Sequence, residues 1–279
     1  MKLLIAIFSL FLLCSCTDSS VDSFMSAGIG SLLRPAQNYP LNHEATLSYS
    51  YGGGGGGVSS HATLPTNLLS FWSCEDDAAN TTVTDDTGNN DGTADVNTNT
   101  LADADGVVGN SFDLDGMVAS RDYFNIGDIQ ASFGDHASLV MWIKLDDMPP
   151  NHSIRGGLAE LDSSLGTYYP YMDSNMYCSI FRNDRFNFDI SGGVDEATWH
   201  MLTITQTPGA NGYKIYQNVT EIYSGAGEAT VSVDAVSRIG YHTDGMGLDG
   251  RIDQIGLWSK SLSSDEVADL YNGGAGLSY

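Results

Sequence analysis

The residues best equipped for molecular recognition crowd into "GTYYPYMDSNMYC", Gly166 to Cys178. Tyr168, Tyr169, Tyr171 and Tyr177 surround Pro170, with Asp173 and Asn175 among them. A tyrosine offers a flat apolar face and a polar tip. That suits stacking on a sugar ring while hydrogen-bonding its hydroxyls. Two readings stand open. The stretch is a ligand-binding loop on the rim of a fold, or it is an ordinary strand pair with half its tyrosines in the core.

Groupings that could catalyse are missing by comparison. Glycoside hydrolysis needs two carboxylates at a set separation across a cleft. No strand carries a Glu-x-Asp-x-x-Glu cluster. Glu160 and Asp162 merely alternate in "GLAELDS", while Glu221, Glu228, Asp265 and Glu266 fall at loop, cap or solvated positions. There is no Gly-x-Ser-x-Gly nucleophile elbow. His200 beside Trp199 reads as a structural histidine next to a buried tryptophan. "DADG" (Asp103 to Gly106) echoes the start of an EF-hand, but Leu101 occupies its first ligand position and no Glu closes the loop. The chain is expected not to be an enzyme.

Charge narrows the partners. The 279 residues include 11 Lys and Arg against 35 Asp and Glu, a net charge of −24. Nucleic acid is excluded as a partner, because phosphate neutralisation needs basic residues. An anionic bilayer surface is disfavoured for the same reason. The length and the 42 % hydrophobic content suit one substantial domain plus extensions.

The extensions lie at the amino terminus. Lys2 precedes an apolar run, Leu3 to Leu13, too short for a membrane span of about 20 residues. "LCSC" at 13–16 resembles a bacterial lipoprotein lipobox, which implies cleavage before Cys16 and lipid on its thiol. The alternative is an ordinary secretory signal cut further on. Either route exports the mature chain, lipid-anchored at a bacterial membrane or cell surface, or else secreted. Residues 17–66 read as a flexible tether, with six glycines from Gly52 to Gly57. About fifty residues of this kind reach roughly 35–42 Å. The folded domain is expected over 67–279. Its two cysteines, Cys74 and Cys178, form a disulfide in an oxidising compartment or remain as two buried thiols.

Within the domain the elements read as strands. "RFNFDIS" alternates, with Phe186, Phe188 and Ile190 on one face. "ASLVMWIKL" places Ala137, Leu139, Met141, Ile143 and Leu145 together. "WHMLTITQT" and "GYKIYQN" flank a turn built from Gly209, Asn211 and Gly212. Many short strands with Gly, Asn and Asp turns predict an all-β antiparallel sandwich. One helix closes the chain. Ser263 is its N-cap, Glu266 completes a capping box, and Leu262 and Val267 can form a hydrophobic staple. Val267, Leu270 and Tyr271 share a face, and Gly273 is placed to end the helix. In the strand before it, Ile252 and Trp258 fall on one face, Ile255 and Leu257 on the other. A strand apolar on both sides needs cover on both, so the helix is expected to pack on the sheet.

The succession of pieces resembles the laminin-G-like, concanavalin A-like jelly-roll domains of secreted bacterial and bacteriophage proteins. It covers Leu68 to about Asn272. "LLSFWSCEDD" with Trp72 and Glu75 opens it, and "TVTDDTGNNDGT", "GNSFDLDG", "SLVMWIK", "WHMLTIT", "YKIYQN" and "RIG" follow. "LDGRIDQIGLWSKSLSSDEVADLY" ends it. Asn218-Val219 departs from the Asp-Gly turn usual there. The resemblance implies a two-sheet jelly roll with one short C-terminal helix. It also implies a structural Ca²⁺ held by Asp85 and Asp253, with Glu75 and Asn90 completing the shell. Against calcium stands an Asx turn at Asp85 and Asp86, and an Asp253 that pairs with Arg251 or caps a backbone amide. Members are similar to lectins, carbohydrate-binding modules, adhesion domains and structural appendages, and some relatives are glycoside hydrolases. The expected function is an extracytoplasmic, non-catalytic module that binds carbohydrate or another extracellular polymer. A structural or protein-adhesion domain is the first alternative, and a glycosidase-like protein the second.

Overall fold

Ala137–Leu145 is apolar at every odd position and again at Val140 and Trp142, so a single strand needs an apolar environment on each side. The computed structural model describes residues 60–115, 122–129, 133–146, 157–162, 165–168, 175–178, 180–181, 186–189, 198–231, 233, 237–242 and 246–277. All lie in the unit Gly56–Tyr279. In chain order the strands are β1 (Leu68–Trp72), β2 (Thr82–Val83), β3 (Gly92–Ala94), β4 (Ala102–Asp103), β5 (Ser111–Asp115) and β6 (Phe124–Gly127). There follow β7 (Ala137–Leu145), β8 (Gly157–Asp162), β9 (Leu165–Tyr168), β10 (Asn175–Cys178), β11 (Phe186–Asp189) and β12 (His200–Gln206). The last are β13 (Gly209–Gln217), β14 (Thr220–Gly227), β15 (Ser237–Ile239), β16 (Tyr241–His242), β17 (Met246–Gly247) and β18 (Asp249–Trp258). Helices are short: α1 (Thr98–Leu101) and α2 (Ser264–Tyr271).

Two antiparallel sheets result. The first runs β14-β13-β12-β7-β18-β5-β4, with β1 also paired to β18. The second runs β11-β10-β9-β8-β15-β6-β3-β2. β16 and β17 form a separate small hairpin. The main core fills the space between the sheets, and the odd positions of β7 enter it from one side. Phe124 and Ile126 of β6 and Ile239 of β15 enter it from the other. Phe124 meets Phe112 and Trp72 edge-to-face, at centroid distances of 6.2 and 6.1 Å.

The even positions Val140 and Trp142 face outward into a second apolar layer. This layer contains Met201, Tyr216, Trp258, Leu262, Val267 and Leu270, so α2 covers the outside of the first sheet. Tyr271 stacks on Trp142 with planes 13° apart. Leu64 joins the same layer, 2 % exposed, although its composition assigns it to the tether. The Trp258 indole donates to the Leu64 carbonyl at 2.7 Å, and Lys260 bonds the Thr63 carbonyl at 2.6 Å. The domain's contacts therefore start at Thr63 and Leu64, a few residues ahead of the expected boundary at 67.

The face assignment of the closing strand needs correction. Ile252, Ile255 and Leu257 all reach the inter-sheet core, and Trp258 alone of the four faces α2. A bulge between Asp253 and Gly256, with Gln254 at φ 48°, shifts the parity. The bulge falls where β18 changes partner: residues 249–252 pair with β5 and 255–258 with β1.

The capping box forms as expected. Ser263 Oγ accepts from Glu266 N at 3.2 Å, and Glu266 Oε2 accepts from Ser263 N at 2.9 Å. The helix ends as expected with Gly273 left-handed at φ 66°, ψ 18°, and Asn272 before it, the cap residue, shares that conformation at φ 46°, ψ 44°. Ser263→Ala is expected to cost about 1 kcal/mol, read as a lower urea midpoint at unchanged slope.

Candidate functional site

The tyrosine stretch folds as strands. β9 ends at Tyr168 and β10 spans Asn175–Cys178, and Tyr177 lies directly opposite Tyr168 in the ladder. Cross-strand neighbours share a face of a sheet, so these two positions stand side by side on the second sheet. Tyr169, Tyr171 and Asp173 lie outside the described residues, as do the side chains of Tyr168, Asn175 and Tyr177, and Cys16.

The four residues expected around calcium spend their oxygens on backbone and indole N–H groups. Among the described residues no group of three or more His, Cys, Asp or Glu side chains could hold a metal ion. Asp85 is 2 % exposed and fully used by its own turn. It accepts from Phe71 N and Thr87 N at 2.9 Å and from Asn90 N at 2.8 Å. The Asn90 carbonyl, the expected ligand, accepts the Trp72 indole N–H at 3.1 Å. Glu75 accepts from Asn110 N at 3.0 Å. Asp253 Oδ2 caps a loop, accepting from Val107 N at 2.7 Å and Val108 N at 3.1 Å. Arg251 turns instead to Asp103, Asp113 and Asp146. As a set the four do not fit a calcium shell. Asp253 alone keeps a buried oxygen, Oδ1, without a hydrogen bond. Burial pushes its carboxyl from an ordinary 3.8 up to about 7, against the pull of the two amides.

The disulfide expectation also changes. Cys74 is a buried free thiol, with Sγ 3.9 Å from the Trp72 carbonyl. Burial, then the charges of Asp253, Asp76 and Glu75, raise its pKa and keep it protonated. Trp72, two residues away, packs on Phe124 of β6. Cys178 sits on β10, four strands along the second sheet from β6, or roughly 19 Å at the usual spacing. A disulfide needs Cα atoms within about 7 Å. The side chain of Cys178 lies outside the described residues.

The cluster that sequence reasoning missed lies on the outside of the second sheet. In β6, Phe124 and Ile126 point into the core, so Asn125 points out. Arg238 of β15 is its register partner on one side, and Glu160 of β8 pairs with Arg238 on the other. Arg238 Nη1 lies 3.3 Å from Glu160 Oε2; the carboxylate side chain is 0 % exposed and the arginine 27 %. The guanidinium also lies over two tyrosine rings, 5.8 Å from the centroid of Tyr123 and 5.2 Å from that of Tyr241. The rings are 5.0 Å apart and tilted by 36°. Both tyrosines and Asn125 are half-buried. Tyr123 N donates to Asp95 Oδ1 at 3.1 Å, which fixes the approach to β6. Arg238 Nε is buried without a partner. No local motif could have announced this group, whose members lie far apart along the chain and meet only through strand order. The alternation of "YFNIG" is the one signal, since it turns Asn125 outward.

Among the described residues no helix is long and apolar enough to cross a membrane. No curated protein matches the chain. Several solved structures share its fold. Domain 4 of AbnA, a GH43 extracellular arabinanase from Geobacillus stearothermophilus solved with arabinotriose, is 19 % identical with a TM-score of 0.56. The match covers 73 % of this chain and 97 % of that domain. Trypanosoma rangeli sialidase is 15 % identical with a TM-score of 0.54, over 76 % of this chain and 34 % of the sialidase. Botulinum neurotoxin type C, described as entering cells through two ganglioside molecules, is 13 % identical with a TM-score of 0.58. That match covers 77 % of this chain and 53 % of the toxin chain. The chain thus spans the whole of the arabinanase domain but a third to a half of the other two. Residues 118–268 match the Laminin_G_3 family, and the chain belongs to the concanavalin A-like lectin/glucanase superfamily.

Proposed function

We propose that this protein is an exported, non-catalytic module that binds glycan through the outer face of its second sheet. One observation carries the reading. α2 covers the outside of the first sheet, while the outside of the second presents Tyr123, Tyr241, Arg238 and Asn125 with surface left to solvent. Partly exposed tyrosines beside planar hydrogen-bonding groups suit the alternating C–H and hydroxyl surfaces of sugars. The carboxylates closest to the idea of an acid catalyst are spent on structure. Glu160 is held beneath Arg238, and Asp253 is 0 % exposed beneath the loop it caps. The arabinanase domain with the same fold holds arabinotriose, which supports a sugar ligand without naming it. The signal segment and lipobox-like "LCSC" support export with a lipid anchor. No step of binding uses calcium.

A glycan array probed with the full chain, with and without EDTA, tests this. The expected result is signal on at least one glycan class, unchanged by EDTA. No signal on any glycan from protein with intact β-sheet circular dichroism sinks the sugar-binding reading. Release of product from a bound glycan sinks the non-catalytic part.

A further inference from the structure

The cluster on the second sheet also specifies which class of sugar it accepts. We infer that Tyr123, Tyr241 and Arg238 form a subsite for neutral oligosaccharides, as distinct from uronate, sialate or sulfated chains. This rests on the glycan-binding reading above. An arginine in a binding face ordinarily invites a carboxylate or sulfate. Here that charge is already answered. Glu160 holds Nη1 at 3.3 Å from a position with no solvent exposure, so the pair is neutral as a unit. The surroundings add negative charge, with Asp95 bonded to Tyr123 N and Asp122 bonded to Asp115 N. The whole chain carries −24. Among the described residues of this cluster Arg238 is the one cation and it is already paired, so a polyanion approaching them meets repulsion from the acidic groups around it.

A polyol meets a different surface. The rings of Tyr123 and Tyr241 are held at a fixed tilt by the guanidinium above them, so little freedom is lost when a sugar packs on their exposed parts. The remaining guanidinium donors and the Asn125 amide stand on neighbouring strands and can reach vicinal hydroxyls. Glu160 fixes the arginine in the way a supporting carboxylate fixes any recognition group. Next to Glu160 the register partner on β9 is Gly166, which brings no side chain to crowd the row.

Titration calorimetry with the full chain tests the inference. The probes are arabinotriose and maltotriose as neutral sugars, and trigalacturonate and a sulfated heparin tetrasaccharide as acidic ones. The expected result is binding of a neutral probe with an affinity that hardly changes between low and high salt. Tyr123→Ala and Tyr241→Ala each weaken it about tenfold, with the β-sheet circular dichroism of the folded domain retained. Arg238→Ala is avoided, because it strands the buried Glu160 carboxylate; Arg238→Lys keeps the charge and loses the planar donor set, and is expected to weaken binding as well. Preferential, salt-sensitive binding of an acidic probe overturns the inference. So does neutral-sugar binding that all three variants retain, which leaves the module reading standing and moves the subsite elsewhere. Absence of any binding by the unaltered protein, here and on the array, overturns both.

Discussion

Replacing Trp258 with alanine is expected to remove about 3–5 kcal/mol of unfolding free energy. Against the 5–15 kcal/mol that ordinary domains possess, such a loss leaves this one marginal. The residue is fully buried on β18, with Leu68 and Ser138 as register partners on either side. Its ring fills the layer between the first sheet and α2, beside Leu262, Val267 and Leu270. Its indole N–H also ties down the Leu64 carbonyl, which joins the start of the domain to its end. Truncation therefore opens a cavity and leaves a buried acceptor unbonded at once. Gly256 shows how tightly the space is filled, since a Cβ there would come within 2.5 Å of the same ring. Urea unfolding followed by circular dichroism measures the loss. Limited proteolysis adds a spatial readout, with new cleavage near residues 60–67 in the variant. Trp258→Phe retains most of the packing and deletes the donor, so a smaller cost of about 1–3 kcal/mol is expected. A change below 1 kcal/mol for the alanine variant would mean that the outer layer is not a core.

How much of this was legible in the sequence depended on the range of the contacts. The apolar face of Ala137, Leu139, Met141, Ile143 and Leu145 was legible from their spacing, and all five enter the inter-sheet core. The capping box was legible for the same reason: Ser263 and Glu266 bond within one helical turn. Ile252 was assigned to the wrong face because nothing in "RIDQIGLW" marks Gln254 as the left-handed residue of a bulge. Strict period-two reading fails by one position there, and one position inverts a face. Gly273 is left-handed as its type suggested, and the added left-handed turn at Asn272 went unread because a non-glycine there has no positional signature. Leu64 was hidden by the glycines before it, since only Trp258, far along the chain, makes it core. The site is the extreme case. Tyr123 and Tyr241 are brought together by the order β15-β6, which no local pattern encodes. The acidic turns misled in the opposite direction. Asp85 and Asp253 have the chemistry of calcium ligands, yet each spends oxygens on backbone amides that the turn and the loop leave unpaired.

The Asp253 carboxyl should make the domain lose stability as pH rises from about 4 to about 7. Burial lifts its pKa from 3.8 in the ordinary range to about 7 in the fold, more than the Val107 and Val108 amides can offset. Below pH 4 the group is protonated in both states and costs nothing. Between the two values the folded state holds a proton that the unfolded chain releases, so unfolding is favoured progressively as pH increases. Above 7 the fold carries a buried charge and the penalty is complete. A rise of this size corresponds to about 4 kcal/mol. The buried Oδ1, without a hydrogen-bond partner, is where the proton sits. Asp253→Asn keeps an oxygen for the loop amides and cannot ionise. Its unfolding free energy should fall less steeply over this range than that of the unaltered protein and exceed it at pH 8. Asp86, Asp95, Asp113 and Asp122 are also raised by burial and slope the same way. They are present in both proteins and cancel in the difference. Urea titrations at pH 5, 6, 7 and 8, with EDTA present so that a proton is the one ligand offered to Oδ1, measure it. Parallel curves for the two proteins would show that Asp253 ionises in the fold as readily as in the open chain, and that the loop over it admits water.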